Sequence, residues 1–163
     1  MTVTFDANKP LGEALQRWWD DLQECNGDRA ELRRAETVTD IILLPAFQRT
    51  CLRFQPFFQH EENWEYRLAA VLGLLAHVRH ANPGEALAIQ MSGRPPVVSE
   101  LRFRRLIQRE RSDLFVSMIR VLRMMGNKAN LHDLANSIYF WGDKVKRRWA
   151  FDYFPNTPEK ASA

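Results

Sequence analysis

Arginines set at helical spacing are the residues of this sequence best suited to do chemistry. Arg102, Arg105 and Arg109 fall at i, i+3 and i+7, on one face of a helix. Arg111 and Arg120 follow, and the stretch from Glu100 to Met125 holds seven arginines against three acidic residues. A guanidinium offers a planar fork of donors that matches phosphate oxygens two at a time and keeps its charge at any ordinary pH. The chemistry implied is an electrostatic grip on a phosphate-rich partner rather than the making of bonds. The same face has a second reading, a solvated surface whose cations pair with Glu100 and Glu110. Further cations stand at Arg33-Arg34, at Arg79, and at Lys144, Lys146, Arg147 and Arg148. Neighbours on a helix point about 100° apart, so at least one of Arg33 and Arg34 faces solvent or a partner.

Other chemistries find less to work with. The sequence has no glycine-rich phosphate loop, no serine nucleophile elbow and no paired-cysteine metal signature. His77 and His80 lie at i, i+3 without a third ligand nearby, and read as solvated or helix-end histidines. Glu61 and Glu62 precede a helix, where its dipole favours carboxylates, and the other acids are too scattered for a metal-dependent nuclease. Trp18, Trp64 and Trp149 have rings able to stack on bases, but they sit on apolar helical stripes and read as core. No catalytic residue, metal, cofactor or small-molecule substrate is expected.

The elements that must position the arginines are helices. Between Glu100 and Met125 two of them meet near Glu110 to Ser112, with Ser112-Asp113 as the restart signal. Phe103, Leu106 and Ile107 form the apolar stripe of the first, and Leu114, Met118, Val121, Leu122 and Met125 that of the second. Upstream, Leu11, Leu15, Trp18, Trp19 and Leu22 mark a helix from about Pro10 to Glu24, which Asn26-Gly27 stops. Asp28 and Glu31 have capping-box spacing for a short helix through Arg33 and Arg34. Pro45 opens a helix through Phe47, Cys51, Leu52 and Phe54, and Asn63 caps one whose stripe of Trp64, Leu68, Val71, Leu72, Leu75 and Val78 runs to about His80. A weak helix covers Glu85 to Gln90, Asn130 caps another through Ile138, and a last one carries Val145, Trp149 and Tyr153. Gly126-Asn127 ends the Leu114 to Met125 helix in C-cap fashion. The fold expected is all-α, two packed helical bundles of about eight or nine helices, with no strand signal of useful length. The division is a helical lobe at 1–81, a linker at 82–98 containing Ser92-Gly93-Arg94-Pro95-Pro96, a basic lobe at 99–155 and a frayed tail at 156–163.

The whole chain bounds the answer. Its 163 residues, 45% of them hydrophobic, suffice for a real core. Cys25 and Cys51 form no motif and no secretory signal or membrane-spanning run is evident, so a soluble protein of the reducing cytoplasm is expected. The net charge of +3 hides a polarity: residues 1–81 carry 9 Lys and Arg against 12 Asp and Glu, whereas residues 82–163 carry 14 against 8. All the excess lies in the arginine-rich half. On these grounds alone, contact with nucleic acid and contact with an acidic protein surface both stay open.

Several short stretches, taken in order, resemble one family. They are Arg33-Arg34 after the helix with Trp18, Pro45-Ala46-Phe47 after a short polar link from Thr37, Ser99-Glu100 opening Arg102 to Ile107, Arg111-Ser112-Asp113 followed by Arg120, and Trp141-Gly142-Asp143 before a basic helix. The set, over roughly residues 11–154, is similar to the CasB family, the small subunit of the type I-E CRISPR surveillance complex Cascade. The resemblance implies a non-catalytic, two-lobed helical subunit, present as two copies in head-to-tail contact. It would touch the Cascade backbone and large subunits around the guide RNA, and hold the displaced non-target DNA strand by basic side chains, stabilising the R-loop without reading bases. The motif positions place those contacts at Arg34, Arg79, Arg102, Arg111, Arg120, Lys144 and Lys146. Arg105 and Arg109 join them on charge alone. Asp143 and Gln108 stand where basic character is expected in some relatives, interrupting the track at two points. The competing reading is a protein-interaction scaffold whose basic face meets an acidic protein partner.

Overall fold

The computed structural model of the chain describes residues 2–158. Within them lie ten α-helices: α1 (Pro10–Glu24), α2 (Asn26–Arg34), α3 (Val38–Ile42), α4 (Pro45–Phe54), α5 (Trp64–Leu75), α6 (Leu87–Met91), α7 (Glu100–Ile107), α8 (Arg111–Met124), α9 (Leu131–Tyr139) and α10 (Asp143–Tyr153). The described residues are all-α apart from one parallel ladder of two-residue strands, β1 (His80–Ala81) against β2 (Lys128–Ala129), and an isolated antiparallel bridge between Gly93 and Pro96. The helix beyond the expected eight or nine is α3, inside the stretch read as a polar link. Its five residues are too few to show a period, and a reciprocal capping box fixes it: the Thr37 hydroxyl accepts from Asp40 N–H while the Asp40 carboxylate accepts from Thr37 N–H.

Other helix ends follow local chemistry. Ser99 and Asn130 cap α7 and α9 by accepting the backbone N–H groups of Arg102 and Asp133. Gly126, at φ +70°, closes α8 in a Schellman turn, with Asn127 N–H bonded to Leu122 O and Gly126 N–H to Arg123 O. Three expectations fail here. Asn63 precedes α5 but has φ +56° and makes no side-chain cap bond. Asn26-Gly27 begins α2 instead of only stopping α1, so the box expected at Asp28 and Glu31 falls inside the first turns of a helix already under way. Likewise α8 starts at Arg111, one residue before the expected Ser112-Asp113 cap.

The hub is α5. Every residue from Leu68 to Leu75 is buried, because α5 packs on α2, α3, α4, α8 and α9 at once. Gly73 is what allows this closeness, since a Cβ there would stand 2.9 Å from the Phe115 ring and 3.0 Å from Ile41. One buried cluster runs from Phe5 to Tyr153, drawing on helices from both halves of the sequence. Segment 82–98 contributes Leu87, Ala88, Met91 and Val98 to it, with α6 lying on α10. Trp18 and Trp149 are core as expected, and Trp64 is half-buried, stacked on Phe58 at 5.1 Å. Leu52, placed on an apolar stripe by its spacing, is exposed. Of the segment expected to fray, Asn156 O and Thr157 Oγ1 both accept from Gly93 N–H, while 159–163 lie outside the described residues. No helix among the described residues is long and apolar enough to cross a membrane.

Candidate nucleic-acid interface

The helix pair that carries most of the arginines is anchored at its corner. Phe103 of α7 stacks on Tyr153 with centroids 3.8 Å apart, and the Tyr153 hydroxyl donates to Val98 O at 2.6 Å. Where α7 turns into α8, the Trp141 indole donates to Arg109 O at 2.9 Å. Arg111 then reaches back to the end of α9 and donates to three carbonyls, Ile138 O at 2.9 Å, Tyr139 O at 3.0 Å and Trp141 O at 3.1 Å. They lie at the end of α9 and the turn after it, where helical carbonyls run short of backbone donors, although Ile138 O also accepts from Trp141 N–H at 3.4 Å. Burial, followed by the neighbouring Arg67 cation, pulls the Arg111 guanidinium below its ordinary pKa. Motif position made Arg111 a strand contact; the geometry gives it the job of closing α9 and holding the corner, with most of its donors already committed.

With the corner held, four of the expected residues converge. Arg102 and Arg105 of α7, with Arg109 in the turn that follows it rather than on the same helix as its spacing suggested, face Arg120 of α8 across a groove floored by Leu106, Val121 and Met124. Arg102 reaches across it, its Nη1 3.6 Å from Met124 Sδ. All four are exposed. Arg120 also lines a second, wider depression of about 600 Å³ between α2 and α8, with Arg33, Arg34, Arg123, Val116, Ile119 and His77. Arg34 is thereby joined to the same surface through Arg120. Arg79 stands beside it, close enough that burial and then the cations Arg79, Arg29 and Arg123 lower the Arg33 guanidinium from its ordinary value. Arginines from three separated stretches thus form one track.

No ion pair among the described residues neutralises that track. Among the described residues the ion pairs are Arg49 with Asp28 and Arg148 with Asp133, both away from the groove and the depression. The pairing of the α7 arginines with Glu100 and Glu110, the second reading of the spacing, does not form. Like charges held together in this way repel, and an incoming anion relieves them. Lys144 and Lys146 line neither cavity; Lys146 lies over the Trp141 ring at 5.7 Å and Lys144 projects from the first turn of α10.

Sequence reasoning missed one participant and left another on charge alone. Arg123 was a candidate by its charge only, although its spacing from Arg120, i to i+3, put both on one side of α8. His77, read as a solvated or helix-end histidine, is 6% exposed. Two residues beyond the end of α5, it is enclosed by α2 and α8, a long-range arrangement with no local signature. His80 is exposed, as read.

Fold and surface together define an all-helical protein with a rigidly mounted, unneutralised arginine track. The particular kind follows from comparison. The sequence profile of the CRISPR-associated protein Cse2 family matches residues 28–154, and the chain belongs to that family, the one also called CasB. A chain in the crystal structure of E. coli Cascade bound to a PAM-containing dsDNA target shares the fold, with a TM-score of 0.67 at 23% identity over 89% of this chain and 95% of that one. No match was found among curated proteins.

Proposed function

We propose that the chain is a non-catalytic subunit of a type I-E Cascade complex that holds the displaced non-target DNA strand on its arginine track. Exchange of a DNA duplex for an RNA–DNA duplex is nearly balanced in free energy, so a modest grip on the freed strand is enough to tip it. Cations on rigid helices supply that grip through phosphates, without reading bases, as a guide-programmed system requires. The observation that carries the reading is the convergence of Arg102, Arg105, Arg109 and Arg120 with Arg33, Arg34 and Arg123, none of them in an ion pair among the described residues. Backbone and large Cascade subunits, a second copy of the chain and the guide ribonucleoprotein are its proposed partners. Its setting would be the cytoplasm, which suits two free cysteines.

The test is the salt dependence of single-strand binding. Purified chain should bind oligonucleotides of unrelated sequence with similar affinity, weakening steeply as salt rises. Arg120→Gln, at the meeting point of both cavities, should lower the logarithmic salt slope by about one. An isolated protein that ignores oligonucleotides even at low salt, yet co-purifies with protein subunits after nuclease treatment, would make it the scaffold for an acidic protein surface instead.

A further inference from the structure

The depression between α2 and α8 differs from the open groove in having a polar floor. His77 sits there 6% exposed, and its Nε2 has no hydrogen-bond partner among the described residues. A buried polar atom left unpaired costs roughly 1–3 kcal/mol, so its persistence calls for a reason. The surroundings supply one. Arg33 and Arg34 face it from α2, Arg120 and Arg123 from α8, and Asn127 from the turn after α8, with Val116 and Ile119 as apolar wall. The charged groups around it are Arg79 beside it in sequence and Glu36 on the rim, where Thr37 also stands. Six arginines including Arg29 therefore surround the basin against one carboxylate.

We propose that this basin is a discrete phosphate seat, in which the His77 imidazole donates a hydrogen bond to an oxygen of a backbone phosphodiester that Arg33 and Arg123 have drawn in. The idea rests on the proposed function and sharpens it: one phosphate of the strand is seated in a built pocket, while the others ride on the open groove. Guanidinium groups on flexible stems move aside onto the incoming oxygens, and Nε2 gains the acceptor it lacks. The bound phosphate also cancels the local positive field, so the imidazole takes up a second proton as the strand arrives. In the free chain that proton is resisted, by burial first and then by Arg33 and Arg123, which hold the His77 pKa down at about 4. Strand binding becomes linked to proton uptake at a single residue.

The experiment follows the ring protons of His77 by NMR in the full chain, with and without oligothymidylate lacking a terminal phosphate. His60, His80 and His132 serve as internal controls. The expected result is a His77 midpoint raised by at least about 2 pH units on binding, the others moving far less. In parallel, affinity at fixed ionic strength should rise up to about tenfold between about pH 7.5 and pH 5.5, and His77→Gln, which keeps a donor but does not titrate, should flatten that rise. Salt-dependent binding with an unmoved His77 midpoint would overturn the seat and leave the strand-holding reading intact. An absence of salt-dependent binding would overturn both.

Discussion

His77 is stable in this fold as a neutral imidazole, its pKa lowered by burial and by Arg33 and Arg123 from 6.5 to about 4. The unfolded chain takes up this proton as pH falls through the ordinary value; the folded chain resists until about pH 4. Stability is therefore whole above pH 6.5 and declines across the window down to about 4, by up to about 3 kcal/mol. Urea unfolding midpoints measured over that range should show the decline, and His77→Gln should remove this part of it. Arg111 makes a second prediction. Arg111→Ala removes the guanidinium bonds to three carbonyls, of which Ile138 O keeps the Trp141 N–H, and should cost about 2–3 kcal/mol in unfolding free energy, with the salt slope of single-strand binding unchanged. A slope reduced by about one at unaltered stability would return Arg111 to the strand-contact set. The sequence made Arg111 conspicuous, but whether a guanidinium meets a phosphate or a carbonyl depends on what the fold brings beside it.

Among elements, those whose ends are set by near neighbours were the ones legible in advance. Ser99, Asn130 and the Gly126-Asn127 turn act within a few residues of themselves, and their chemistry is visible as spacing. Asn63 looked the same and is not: in the left-handed region its backbone turns the chain, while its side chain makes no cap bond. The strands β1 and β2 were invisible because two residues show no alternation, and α3 because five show no turn of amphipathicity. How closely elements pack is equally hidden, although one glycine marks it here. Gly73→Ala would press a methyl group against Phe115 and Ile41, prising α3 and α8 off α5. Thermal or urea unfolding should register a loss of about 1–3 kcal/mol, recovered in part by Ile41→Val.

At the scale of the whole molecule, the charge polarity of the sequence was informative but incomplete. The arginine-rich half supplies the groove, yet the basin beside it takes Arg33, Arg34 and His77 from the half with net negative charge. Net charge per segment says how much cation there is; packing of α2 against the α5 hub decides which cations share a surface. That is why Arg102, Arg105, Arg109, Arg120 and Arg34 were brought together and Lys144 and Lys146 were not.

The segment before α1 carries a consequence for how the chain is made. Phe5 is fully buried, edge-on to Tyr139 at 5.6 Å, with its backbone N–H held by Asn136 and its carbonyl bonded to His132. Phe5 thus has its partners on α9, some 130 positions later in the chain. Synthesis at about 5–20 residues per second leaves that place vacant for several seconds. Until α9 emerges, α5 is a run of apolar side chains without its cover, and the nascent chain is an open client for chaperones rather than a half-finished subunit.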